Sequence, residues 1–466
     1  MLLIQNGTLV TGEKSFPGDI LIDGEKITHV FPAGDPAEEA ILAALSTPPD
    51  RLNAEGKLIF PGFIDAHTHF DLHVAGTVTC DDFASGTEAA VSGGTTTIID
   101  FGTQYPGETL EEGFQNWLKK AAVGASCDYG IHMSITDWNE DARRDCQQML
   151  EEGLSSFKLY LTYDTKVSDH DLYEILVRLK EVHGITGCHC ENDGLIKALQ
   201  EEAIRRGGLR DVSSHYKTRP VEAEAEAISR YLRIAELIDW PVIDVHLTCA
   251  AGLDEIRSAR RRGQTVYAET CPQYLTMTQD LYDLPGFEGA RYVISPPLRK
   301  ESDCAALWAA LAAGEIQTVS TDHCAFTLAQ KELGKDDFRK IPGGMPGAET
   351  RGPLMYSEGV AKGRITKERL CQVLSENPAK LYGLWGRKGA IAPGFDADLV
   401  LLDPKGSKII TVSEQVSRCD YAPLEGTQLE GCITEVFLRG QLTAKDGKVL
   451  VKNRGQYLKR GAFMRI

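Results

Sequence analysis

The chain has 466 residues, 42% of them hydrophobic and 25% charged, which allows a sizeable buried core and one large domain with a smaller one. A formal charge of −17 and an isoelectric point near 5.2 disfavour nucleic acid or an anionic membrane as the main partner, because both need a basic surface. Asn6-Gly7 interrupts the apolar start, so the reading has no signal peptide and no membrane span, and it expects a cytoplasmic protein.

The first 30 residues alternate short apolar runs ("LLIQ", "GTLV", "DILI", "ITHV") with the turn signals Asn6-Gly7 and Asp23-Gly24, a pattern of short antiparallel strands. Pro32 to Glu55 reads as a surface insertion with a short helix, "AEEAILAAL". Strand-like and helix-like segments then alternate, the mark of βα units around a parallel sheet. Eight candidate strands follow: Gly62–His67, Thr95–Phe101, Cys127–Ile135, Ser155–Leu161, Ile185–Cys190, Val242–Leu247, Thr265–Glu269 and Gln317–Thr321. Helical patterns such as "TLEEGFQNWLKKAA" and "SDHDLYEILVRLKEVHG" separate many of them. Eight strands close a (β/α)8 barrel, whose reacting groups gather at the strand ends. Short-strand texture returns in "GAIAPGFDADLVLLDP" and "ITEVFLRGQLTAKDGKVLV", so both chain ends are expected to build one β-sandwich. The expected division is residues 1–58 and 388–450 for that domain, 59–387 for the barrel, and 451–466 as a tail available for subunit contact. Twelve cysteines show neither a Cys-x-x-Cys pair nor framework spacing and read as reduced core residues.

The chemistry-bearing residues fall at the ends of those strands. In "LIFPGFIDAHTHFD", His67 and His69 are two residues apart, so an extended chain aims both imidazoles at one point, an arrangement suited to a divalent metal. Lys158 lies in strand four, His189 closes strand five, His246 strand six, and Asp322 follows strand eight. Alone, each has an ordinary structural explanation: an ion pair for Lys158, a polar cap for the histidines, a helix cap for Asp322. Their coincidence around one barrel mouth argues for a site. His29, His73, His132, His170, His183, His215 and His323 are read as structural, with His323 beside Asp322 a candidate supporting residue. Cys188 and Cys190 alternate in face with His189, which excludes a joint thiolate site in "CHCEN".

With these residues in place, the chain resembles the metal-dependent amidohydrolase superfamily, and more closely its dihydropyrimidinase/hydantoinase branch. "PGFIDAHTHFDL", "GTVTCDDFASGTEAAVSGGTTTIIDF", "FKLYLTY", "HCEN", "DVHLT", "SPPLR", "STDHC", "PGAETR" and "NPAKLYGL" come in the family's order over nearly the whole chain. The resemblance implies a barrel with a β-sandwich and two Zn2+ held by His67, His69, Lys158 as N6-carboxylysine, His189, His246 and Asp322. A neutral lysine amine that adds CO2 becomes an anionic carbamate with two ligand oxygens, and burial favours the neutral amine it needs. The resemblance also implies that Asp322 shuttles the proton, that Tyr163 hydrogen-bonds the developing oxyanion, and that Ser295 and the main-chain carbonyl of Gly343 read the ring amide. Many relatives have Asn where this chain has Gly343, which leaves the shape of that part of the pocket open.

The implied activity is hydrolysis of 5,6-dihydropyrimidines or 5-substituted hydantoins to N-carbamoyl amino acids. The alternatives are an allantoinase and a non-catalytic assembly protein of the same fold. Retention of all six ligand positions favours catalysis. Asp71 stands where a dihydroorotase-like relative places a carboxylate-binding Arg, which disfavours that specificity. "KNRGQYLKRGAF" resembles tails that join subunits, implying a homotetramer or homodimer.

Overall fold

The computed structural model describes residues 1–466. Eight parallel strands form the barrel wall in chain order: Phe63–Thr68, Thr95–Thr103, Asp128–Ser134, Ser156–Tyr160, Ile185–His189, Val242–Asp244, Val266–Thr270 and Thr318–Val319. All eight expected strands are present, and nearly every residue in them is buried, as expected of parallel strands covered by helices. The helices between them follow local rules. Leu110–Ala122 starts at a capping box between Thr109 and Glu112 and buries Leu110, Phe114, Trp117 and Ala121, one face at helical spacing.

Strands six and eight are shorter than their sequences suggest, for physical reasons. His246 adopts a left-handed backbone (φ 42°), which ends the sixth strand at Asp244. In the eighth, the Thr321 amide and hydroxyl donate to the Asp65 carboxylate at 3.0 and 2.7 Å instead of extending a ladder. Arg351, fully buried, completes this seam between first and last strands by donating to Ile64 O and Val319 O, both at 2.9 Å.

The second sheet has nine mostly antiparallel strands drawn from both chain ends. Its join is the antiparallel pairing of Leu58–Pro61 with Leu399–Ile409, with Leu399 opposite Pro61 and Leu402 opposite Leu58. The insertion carries the expected helix, Pro36–Ala43, which buries none of its residues. It also holds an unanticipated strand, Asp50–Asn53, paired with Leu2–Gln5. "DRLN" has no apolar alternation; main-chain pairing, Leu52 on the sandwich core and the Arg51–Gln5 and Asn6–Asn53 hydrogen bonds make that strand.

A buried ion cluster ties the two sheets beneath the barrel. Lys388 Nζ lies 2.6 Å from Asp128, 2.7 Å from Asp398 and 3.0 Å from Asp396. Asp128, at the start of the third barrel strand, also receives Arg439 Nη1 and the Gln456 amide. The C-terminal tail docks on this floor of its own barrel, with Leu458 fully buried and its amide donating to Tyr129 O. All twelve cysteines are free thiols, and all but Cys80 and Cys432 are buried.

Candidate active site

His67 and His69 face one point, as their spacing predicts. Their Nε2 atoms lie 3.3 and 3.1 Å from Asp322 Oδ1, and the ligand atoms of all three residues fall within 4.8 Å of one another. His67 Nδ1 is engaged by Glu269 Oε1 at 2.6 Å, which fixes the proton on Nδ1 and leaves Nε2 a lone pair. Burial first, and the Lys158 charge next, push His67 well below the ordinary imidazole value, so the ring is neutral. Asp322 is held at about 2, burial opposing and the neighbouring imidazoles with Lys158 outweighing it. Two imidazoles and a carboxylate thus converge on one point, a donor set for a cation.

Lys158 is 1% exposed and its Nζ has no hydrogen-bond partner. It lies 5.0 Å from the centroid of the Phe101 ring, which also packs on His67 and His69 at 4.4 and 5.2 Å. Burial lowers its pKa, against the pull of Asp322 and Glu269, and so favours the neutral amine. His189 and His246 lie beside this group. His246 packs 5.4 Å from His67 and 4.6 Å from His189, centroid to centroid. His189 Nε2 pairs with Glu191 at 2.8 Å, leaving Nδ1 as its free lone pair. Buried atoms without partners include His67 Nε2, His69 Nδ1, His246 Nδ1 and Lys158 Nζ. So many orphaned polar atoms in one pocket are costly unless a ligand satisfies them, and neutral imidazoles with a carboxylate suit a divalent metal.

Tyr163 stands on the rim with a left-handed backbone (φ 68°), its ring 5.1 Å from that of His189 and 5.6 Å from the Arg219 guanidinium. Burial raises its pKa while Arg219 and the Ser295 hydroxyl act to lower it; the phenol stays protonated, a hydrogen-bond donor. Gly343 is exposed, and a Cβ there would meet nothing nearer than Ser295 Oγ at 3.5 Å. Space therefore does not demand glycine at 343. Gly344 does need it: φ is 150° and a Cβ would lie 2.0 Å from Cys324 O.

The amidohydrolase family profile matches residues 58–443. The chain belongs to the amidohydrolase family. It is 40% identical to a D-hydantoinase of Geobacillus stearothermophilus over 99% of its own length and 97% of the relative's. A D-phenylhydantoinase of Escherichia coli (strain SE11) is 40% identical over 99% of both chains. Among solved structures, the dihydropyrimidinase from Brevibacillus agri NCHU1002 superposes with a TM-score of 0.95 at 38% identity, covering 100% of this chain and 99% of that one.

This amidohydrolase also holds supporting residues that the sequence reading passed over. Glu269 orients His67 and itself accepts from Ser320 Oγ at 2.8 Å. Glu191 links His189 to Arg219, whose Nη1 donates to it at 2.5 Å. The only local signal for Glu191 was its place in "HCEN", and for Glu269 its place at the end of strand seven. His323 is tied into the surrounding chain: Nε2 pairs with Asp81 at 3.0 Å, and Nδ1 accepts the Gly347 and Ala348 amides at 3.2 and 3.1 Å. His132 is satisfied by Ser156 and Ala66 O, in line with its structural assignment.

Proposed function

We propose that this amidohydrolase opens the ring amide of 5,6-dihydropyrimidines and 5-substituted hydantoins, giving N-carbamoyl amino acids. Its reaction class, cyclic amide hydrolysis, rests on the family and on relatives named for hydantoins and dihydropyrimidines. The observation that carries the reading at this site is Lys158, a buried amine without a partner beside a cluster of four imidazoles and a carboxylate. In this reading His67, His69, His189, His246, Asp322 and Lys158 as its N6-carboxylate hold two zinc ions. When bound, the metal pair polarises the ring carbonyl and lowers the pKa of water beside it.

The protein's own groups do the rest. Asp322 accepts the proton of the attacking water and returns it to the ring nitrogen as the C–N bond breaks. The Tyr163 hydroxyl donates to the carbonyl oxygen as negative charge builds on it. Ser295 and the Gly343 carbonyl orient the ring amide, so the reacting carbonyl is presented in one pose. None of these groups needs a charged substrate. Asp71, itself an anion, supplies no counter-charge for a substrate carboxylate, and the nearby Lys120 is paired with it at 3.6 Å.

The test is kcat/KM for dihydrouracil, phenylhydantoin, allantoin and dihydroorotate on one zinc-loaded preparation. Neutral dihydrouracil and hydantoin rings are expected to lead, because a substrate carboxylate would lose its water without gaining a partner. A lead for dihydroorotate would overturn the pocket assignment; a lead for allantoin would leave the barrel chemistry but change the substrate. A homotetramer or homodimer and a cytoplasmic location complete the proposal. No helix is long and apolar enough to cross a membrane.

A further inference from the structure

Lys331 is 1% exposed and has no carboxylate partner. Its Nζ donates instead to three main-chain carbonyls: Val293 O at 2.9 Å, Pro342 O at 2.6 Å and Gly344 O at 2.7 Å. Three acceptors use all three protons of an ammonium group. The Phe326 ring lies beneath it, 5.7 Å from Nζ to centroid.

The identity of those carbonyls matters more than their number. Pro342 and Gly344 flank Gly343, and Val293 precedes Ser295 by two residues. One side chain therefore fixes both main-chain segments that carry the groups assigned to the ring amide. It also engages the carbonyls on either side of Gly343 and leaves Gly343's own carbonyl uncommitted. Two further contacts brace the same segments: the Gly344 amide donates to Val293 O at 2.9 Å, and His215 Nε2 donates to Ile294 O at 2.7 Å. The 343–344 turn is otherwise unsupported by side chains, since neither residue has one.

We propose that Lys331 is a positioning residue for substrate, a three-point clamp that sets the spacing between the Gly343 carbonyl and Ser295. The clamp rests on the reading in which Ser295 and Gly343 face the ring amide. Lys331 touches neither the metal ligands nor the reacting carbonyl, so its loss acts on binding before it acts on turnover.

The experiment measures kcat and KM for hydantoin and dihydrouracil, with zinc content, for the wild type, Lys331→Met, Lys331→Gln and Ser295→Ala. Because Met leaves three buried carbonyls without a donor and that variant can fail to fold, Gln, which keeps two N–H donors, is measured beside it. Lys331→Met is expected to raise KM about tenfold, the loss of one hydrogen bond, with zinc content kept and kcat changed about twofold or less. Lys331→Gln is expected to fall between, and the Lys331→Gln and Ser295→Ala effects on KM to be less than multiplicative when combined. If Ser295→Ala raises KM while a folded Lys331 variant leaves KM unchanged, or lowers kcat alone, the clamp is overturned. If Ser295→Ala leaves KM unchanged for both rings, the underlying pocket assignment fails, and the clamp with it.

Discussion

Lys158, at the mouth of the barrel, and Lys388, at its floor, are buried alike, 1% and 2% exposed, yet their surroundings are opposite. Lys388 Nζ meets three carboxylates, and although burial opposes it, Asp398, Asp128 and Asp396 drive its pKa up. Lys158 Nζ meets no acceptor, and burial drives its pKa down. The same side chain is thus held as a cation in one place and pushed toward the neutral amine in the other. The difference teaches where this fold keeps its unsatisfied groups: the floor pairs its buried lysine with carboxylates, while the mouth leaves buried polar atoms without partners.

The comparison is broken if mouth substitutions cost stability or floor substitutions cost chemistry alone. The largest effect is expected for Lys158→Ala, which should lose most bound metal and nearly all turnover, while thermal unfolding of the metal-free variant stays at or above that of the metal-free wild type. Added short-chain carboxylic acids should restore part of the activity. Full zinc content and turnover in that variant would remove the lysine from the site. Asp322→Asn comes next: kcat should fall by about 10²–10⁴-fold, the range of a lost general acid–base, in a folded protein.

On the floor, Lys388→Met should leave its carboxylates without a cation and cost about 3–5 kcal/mol in denaturant unfolding, the usual result of breaking a buried ion pair from one side. Zinc bound per folded chain should not change. A smaller, pH-dependent effect is expected at Asp396, where burial opposes but Lys388, Lys26 and Arg387 hold the carboxyl at about 2. A depressed carboxylate stabilises above its unfolded pKa of about 3.9, and that contribution disappears as pH falls toward 2. The stability gap between wild type and Asp396→Asn should therefore be widest at neutral pH and shrink below pH 4; a constant gap would refute the ion-cluster account. The smallest effect belongs to Gly343→Asn on the rim, where a Cβ has room: stability should stay within about 0.5 kcal/mol. Any change should appear in the relative KM values of the two ring sizes.

The regions also differ in how much of them the sequence discloses. Barrel strands are legible because they are short apolar runs bounded by turn residues, and His67, His69, Lys158 and His189 because their strand positions fix the face they point to. His246 and Asp322 were read as strand-end residues, but both sit in left-handed conformations (φ 42° and 52°) that no local pattern announces. Glu269 reaches His67 across 202 residues of chain, and Lys388 reaches Asp128 across 260. Such partners are created by barrel closure and domain docking, so periodicity and motif spacing say nothing about them. Lys331 is hidden for the same reason, since its partners are carbonyls, which every residue has.

The most direct test of the account is carbon-13 labelling of the zinc-loaded enzyme with bicarbonate, read by NMR alongside Lys158→Ala. An amine reserved for a ligand should show a carbamate signal in the wild-type protein that is lost in the Lys158 variant, with Lys388 giving none. A fully active, zinc-replete enzyme with no carbamate signal, or one that persists in Lys158→Ala, would contradict it.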